Sequence, residues 1–217
     1  MTYSVKEMFY TLQGEGFHSG RPAVFCRFTG CNLWNGREQD RANAICQFCD
    51  TDFIGTDGMN GAKFKTTKLL AARINEFWPA NQAQKFVVFT GGEPALQLTS
   101  ELVIALQQLG FECAVESNGT LALPAELDWV CISPKGQSDI VIDQCDELKL
   151  VYPQTHAMPE RFSHITASHR YLSPKNDWTQ TTLIPKTNTA TQQCIQYCLD
   201  NPIWKLTLQS HKILNID

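Results

Sequence analysis

Seven short runs rich in Val, Ile, Phe, Tyr or Thr punctuate the chain: "AVFCRF" (23–28), "KFVVFT" (85–90), "ECAVES" (112–117), "DWVCIS" (128–133), "ELKLVY" (147–152), "HRYLS" (169–173) and "KLTLQ" (205–209). Helical patterns separate several of them. In 66–78, Leu70, Ile74 and Phe77 recur at i, i+4 and i+7 behind a Thr cap. In 99–110, Leu102, Leu106 and Leu109 repeat that spacing ahead of Gly110, which suits a helix C′ position. A third helix is expected over 190–200. Parallel strands need a long crossover between them, so strand and helix in alternation predict an α/β fold with a mostly parallel sheet. A chain of 217 residues without internal repeat or linker predicts one domain over 1–217.

Residues 30–65 break the pattern. They are polar, carry Gly and Asn, and show no sustained periodicity; such a long irregular stretch inside a domain is usually functional. They also hold Cys31, Cys46 and Cys49, with fourteen residues in the first gap and two in the second. The other six of nine cysteines (Cys26, Cys113, Cys131, Cys145, Cys194, Cys198) are scattered and read as small buried hydrophobes, although Cys194 and Cys198 would share a helix face. An odd number of thiols without an export signal favours reduced cysteines or a metal site over disulfides.

The loops that follow the expected strands read "TGC", "TGGEPALQ", "SNGT", "SPKGQ" and "PQ", so polar and glycine-bearing residues recur at one edge of the sheet. In α/β sheets and barrels that edge carries the chemistry. A formal net charge of −4 argues against a protein that grips nucleic acid through phosphates. The opening "MTYSVKEMFYTLQGEG" has no basic start followed by an apolar stretch, and runs such as "FVVF" (86–89) are far too short to span a membrane. A cytoplasmic protein is expected.

Zinc is one use for three thiolates, but structural zinc takes four ligands, and catalytic zinc with three usually includes histidine. None of His18, His156, His164, His169 and His211 lies at short spacing from the trio. The other soft-ligand option is an iron–sulfur cluster with three thiolates, which leaves one iron open to a substrate or cofactor.

Three clustered cysteines after a strand, an aromatic residue in "CQFC" and "TGGEP" (90–94) after the next strand together resemble the radical S-adenosylmethionine (SAM) superfamily. The narrower resemblance is to the 7-carboxy-7-deazaguanine synthases, and it extends over most of the chain. It rests on "TLQGEG" (11–16), "FCRFTGCNLW" (25–34), "CDTDF" (49–53), "ESNGT" (116–120), "SPK" (133–135), "ELKLVYPQ" (147–154) and "LQSHK" (208–212), in that order. It implies a partial βα barrel and a lyase that converts 6-carboxy-5,6,7,8-tetrahydropterin to 7-carboxy-7-deazaguanine for queuosine biosynthesis. Ring contraction with loss of ammonia would follow abstraction of the C6 hydrogen by a 5′-deoxyadenosyl radical, with SAM re-formed each cycle. It further implies a reducing partner such as flavodoxin or ferredoxin, a homodimer, and no direct contact with nucleic acid or membrane.

Residue by residue, the resemblance gives Cys31, Cys46 and Cys49 to a [4Fe–4S] cluster whose remaining iron takes SAM, and Thr51 to Mg²⁺. SAM would be held by Phe48, Cys49, Asp50, Gly92, Ser133, Pro134, Lys135 and the segment Ser173, Pro174, Lys175 and Asn176, with the Gly-Gly-Glu motif on its amino group. Substrate would meet Leu12, Gln13, Gly14, Glu15, Arg27, Thr90, Glu116, Asn118, His211 and Asp217. Blander readings stand beside these: Thr51 as an ordinary cap hydroxyl, "GGEP" as a turn before a helix, Arg27 as half of a buried ion pair. The fourteen-residue gap replaces the three residues common in radical SAM enzymes and matches a subset of the family. Ser173 stands where the family tends to have Gln, and 176–189 is longer than usual, as a surface insertion would be. A radical SAM activase acting on a partner protein, or a non-catalytic iron–sulfur or zinc protein, are the rival readings; the first leaves "TLQGEG" and Arg27 without a purpose.

Overall fold

β1 (Tyr3–Leu12) and β2 (Pro22–Phe28) form an antiparallel hairpin, and β3 (Ala62–Phe64) adds antiparallel to the other side of β1. From β2 onward every pairing is parallel, through β4 (Lys85–Gly91), β5 (Phe111–Ser117), β6 (Trp129–Ile132), β7 (Gln144–Tyr152), β8 (Thr166–Pro174) and β9 (Lys205–Leu206). The order β3-β1-β2-β4-β5-β6-β7-β8-β9 ends on two unpaired edges, so the nine-stranded sheet is an unclosed barrel. The computed structural model describes residues 2–175 and 189–216. Asn176, Asp217 and most of the expected insertion lie outside them.

Helices α1 (Thr67–Phe77), α2 (Ser100–Gln107) and α3 (Ala190–Asp200) cover the outer face. Thr66, Thr99 and Thr189 cap them by accepting from the N–H of Leu69, Leu102 and Gln192, which satisfies donors that a helix start leaves open. Leu70, Ile74, Leu102 and Leu106 are fully buried against Val24, Cys26, Phe28, Val87 and Phe89 of the outward strand positions. Under α3, Cys194 packs against Leu148, Leu150 and Leu172. Leu109 is 40 % exposed, because α2 ends before it, and left-handed Gly110 (φ 85°) stands two residues past the Gln108 cap, not one. A short helix, α4 (Ser210–Leu214), follows β9.

Strand alternation gives the sheet its two characters. Leu148 and Leu150 of β7 face the helices, while Glu147, Lys149 and Val151 face the concave side. The β1–β2 connection folds back across this concave side. Its Gly16 N–H donates to Thr207 Oγ1 and its Phe17 N–H to Glu147, so the loop reaches from one edge of the barrel to the other. Phe17 stacks on Trp129 with ring centroids 4.9 Å apart, His18 lies 4.4 Å from Trp129, and Arg21 forms a fork with the Glu112 carboxylate at 2.9 and 2.5 Å. That plugs the N-terminal end of the parallel strands.

Candidate active site

The C-terminal strand ends and the loops beyond them surround one cleft with two adjoining parts. One part is lined by Cys31, Cys46 and Cys49 together with Phe48, Gly91, Gly92, Asn118, Ser133, Lys135, Ser173, Pro174 and Lys175. The other is lined by Leu12, Gln13, Gly14, Arg27 and His211. Glu15, Asp50, Thr51, Thr90 and Glu116 border both. Pro134 is buried and lines neither.

Glycine at 92 is required by the chain's own packing. A Cβ there would overlap the Gly30 carbonyl oxygen and stand 2.7 Å from Cys31 Cβ. The space that the missing side chain opens is therefore filled by the first cysteine loop, not left for a ligand. Glu93 N–H donates to Gly30 O at 2.8 Å and seals this approach. The Glu93 carboxylate is fully buried and accepts from Ala95 N, Ser117 Oγ and Asn118 N at 2.7–2.9 Å. It ties β4 to the end of β5, so the Gly-Gly-Glu motif offers the cleft its glycine backbone and not its acid. Burial pushes this carboxyl above the usual range, against those three donors.

A charged network crosses the border between the two parts, with Lys149 on the side of the cysteines, Gln13 on the other, and Glu15 and Glu116 on both. Lys149 Nζ lies 3.0 Å from both Glu15 and Glu116, and the Gln13 amide donates to Glu116 at 3.0 Å. Burial alone would lower the Lys149 ammonium; the two carboxylates reverse this and hold it well above its ordinary value. Burial would likewise raise Glu116, and Lys149 together with Gln13 and Arg27 more than cancels it, keeping that carboxyl low. The Gln13 carbonyl oxygen accepts from Glu15 N–H at 3.1 Å, so its amide is fixed at both ends. Lys149 was legible: in "ELKLVY" it alternates with core leucines, which sets a lysine on the opposite face of an interior strand.

Arg27 donates from Nε to Glu7 at 2.7 Å, the ion pair that its bland reading expects. Among the described residues no hydrogen bond engages its Nη atoms, which leaves two donors for a planar anion. Glu7 was not foreseen. His211 packs its imidazole over Gly14, occupying the place of a Cβ, and Ser210 N–H donates to Gly14 O at 3.0 Å. "LQSHK" is thus pinned on "TLQGEG" across the whole length of the chain. Asn118 donates to Asn32 at 3.0 Å, and Asp50 pairs with Lys212 at 2.5 Å. Lys135 donates to Ser133 O and Oγ at 2.6 and 2.5 Å, and burial lowers its ammonium.

The donor set suits an iron–sulfur cluster. The Cys46 thiol beside Cys49 lowers Cys49 and is itself raised in return, so Cys49 is the readier of the two to take the thiolate form that binds iron. Among the described residues no three His, Cys, Asp or Glu side chains converge on a single metal ion. Cluster thiolates bind separate irons and stand apart, so that finding bears on single ions such as zinc. Among the described residues no helix is long and apolar enough to cross a membrane.

No protein-family model matches the chain. Full-length comparison is decisive instead. The chain is 52% identical over 216 residues to the 7-carboxy-7-deazaguanine synthase of Bordetella pertussis and to that of Caulobacter vibrioides, covering 100% of each chain in both cases. Its fold is similar to the crystal structure of QueE from Escherichia coli, with a TM-score of 0.71, 27% identity, and coverage of 97% of this chain and 95% of that one. The activase and the non-catalytic iron–sulfur or zinc protein are set aside on this ground. The chain belongs to the 7-carboxy-7-deazaguanine synthase family, radical SAM lyases of queuosine biosynthesis.

Proposed function

We propose that this cleft converts 6-carboxy-5,6,7,8-tetrahydropterin to 7-carboxy-7-deazaguanine with loss of ammonia. The reading is carried by one observation: the part of the cleft that holds the three cysteines and the part that holds Gln13 and Arg27 meet at Thr51, Thr90 and Glu116, and the Gln13–Glu116–Lys149 network runs across that border. When bound, the [4Fe–4S] cluster and SAM supply the electron and the 5′-deoxyadenosyl radical on which the ring contraction depends. The chain's own residues hold, orient and screen.

Cys31, Cys46 and Cys49 would hold three irons. Phe48, Asp50, Ser133, Lys135, Ser173, Pro174 and Lys175 would surround SAM, with the glycine backbone of 91 and 92 behind it. Arg27 would turn its free Nη donors to the substrate carboxylate, and Glu116, whose Oε2 accepts no hydrogen bond among the described residues, would take the N–H groups of the pterin. Lys149 holds Glu15 and Glu116 in place for this purpose. Thr51, at the junction of the two parts, would offer its hydroxyl to Mg²⁺, a hard cation suited to an oxygen donor and a carboxylate substrate. Leu12, Gly14, Thr90 and His211 would complete the wall.

Electrons must come from outside the chain, and a flavodoxin- or ferredoxin-type donor fits that need. All nine cysteines are free, which supports a reducing, cytoplasmic setting. The continuous sheet supports a single domain over 1–217, and a homodimer is the assembly the family resemblance implies. Reduced, reconstituted protein given SAM and the carboxytetrahydropterin under nitrogen should yield the ring-contracted product by mass. SAM cleavage without that product would overturn the substrate assignment.

A further inference from the structure

The fourteen residues between Cys31 and Cys46 fold onto themselves around one side chain. Trp34 turns inward, 8 % exposed, meets Phe53 edge to face at 5.6 Å and donates its indole N–H to Arg37 O at 3.2 Å. A 3-10 turn over Glu38–Asn43 then brings Arg41 back over Trp34, with the guanidinium carbon 4.0 Å from the ring centroid. From there Arg41 Nη1 donates to Cys49 O at 2.9 Å and to Gln47 O at 3.3 Å, while Nε reaches both Glu38 oxygens at 2.8 and 2.9 Å.

The Cys46–Cys49 segment has no helix or strand of its own. Its backbone polar groups need partners from elsewhere, and two of its carbonyls find them in Arg41. Leu33 O, beside Cys31, accepts from Ile45 and Cys46 N–H at 3.2 and 3.4 Å, so the two ends of the segment are also tied directly. A planar guanidinium can stack on an indole and fork to carbonyls at once; an ammonium offers a point charge without the plate. The bond to Cys49 O also sets the guanidinium charge against the backbone of the residue that carries that thiol.

We infer that Arg41 is a positioning residue for the cluster: it fixes the Cys46–Cys49 turn in ligating register and stations a cation beside the thiolates. A fixed cation favours the more negative, reduced state of the cluster. The long first gap is then the device that delivers this side chain. The inference rests on the reading of Cys31, Cys46 and Cys49 as the cluster ligands.

The test compares reconstituted wild type with Arg41→Ala, Arg41→Lys and Arg37→Ala, the last removing an exposed charge from the same segment. Iron release to a chelator and the midpoint potential of the cluster are measured, with thermal unfolding of each apoprotein as the folding check. Arg41→Ala should release iron about 10- to 100-fold faster, the range for lost outer partners of a metal site, and its potential should move lower. Arg41→Lys should release iron quickly yet keep a potential near wild type, because charge survives and geometry does not. Arg37→Ala should resemble wild type in both. Wild-type behaviour of Arg41→Ala, or faster release without a shift in potential, would overturn the inference, as would an Arg37→Ala effect of equal size. If Arg41→Ala does not fold, Arg41→Lys decides alone, and wild-type iron release from it overturns the inference. Wild type that takes up no iron would instead overturn the cluster reading.

Discussion

At the N-terminal ends of the parallel strands, Phe17, His18, Trp129 and His169 pack ring on ring, and the loop that carries the first two is bonded to Thr207 and Glu147. At the C-terminal ends, Gly91, Gly92, Ser133, Lys135 and the cysteines face a cleft. Both ends are made of irregular chain. They differ in what their side chains face: the closed end packs ring on ring and ties its loop to Thr207 and Glu147, while at the open end, among the described residues, Arg27 Nη and Glu116 Oε2 have no hydrogen-bond partner and the three cysteines line the cleft. Substitutions at the closed end should therefore act on stability, and those at the open end on what the protein binds.

The largest expected effect is at the open end. Cys46→Ala should abolish cluster binding, measured as iron and sulfide after anaerobic reconstitution. Cys194→Ala, in the outer core with its thiol 3.6 Å from Tyr152 O, should keep the cluster and cost about 1–2 kcal/mol of stability. Equal iron loss in the two would erase the division of the cysteines.

Two glycines sharpen the contrast further. Gly92→Ala forces a methyl against Gly30 O and Cys31, so iron retention should fall and the apoprotein should lose stability as well. Gly16 has φ 70° and faces the Glu147 carboxylate, so Gly16→Ala should destabilise the fold by about 1–3 kcal/mol yet bind full iron. A reversal of these outcomes would mean that the closed end shapes the cluster site.

The smallest effect is a pH dependence at the closed end. Burial lowers the His18 imidazole below its ordinary 6.5, and Arg21 beside it adds to this. The unfolded chain binds that proton more readily, so stability is present above pH 6.5 and is lost as pH falls through the unfolded value toward the folded one. His18→Gln should flatten urea-unfolding stability between pH 7 and pH 5.5 by about 1 kcal/mol or less. An unchanged slope would place the acid sensitivity elsewhere.

All seven strands expected from β-rich runs are present, and three helices stand within a few residues of their expected bounds. β1 escaped notice for a physical reason. A register shift between Val5 and Glu7 breaks its alternation and puts Lys6, a lysine paired with Asp52 and Asp57, among buried neighbours. β3 and α4 are too short, at three and five residues, to show any period. Arg27 has a partner, Glu7, on the hairpin strand that was not foreseen, so nothing in its neighbourhood could announce the pair.

By itself the sequence determined the α/β class, the cysteine trio and the edge of the sheet where glycine and polar residues collect, because each depends on local spacing along one strand or loop. Only the tertiary structure decided which distant segments share the cleft. "TLQGEG" begins at the opposite end of the sheet and reaches Glu116 and Lys149 by folding back across its concave face, and α4 then locks it from two hundred residues away in sequence, roughly the span from Gly14 to Ser210. Those contacts follow from strand order and from the unclosed barrel's curvature, and no residue pattern short of the whole fold encodes them.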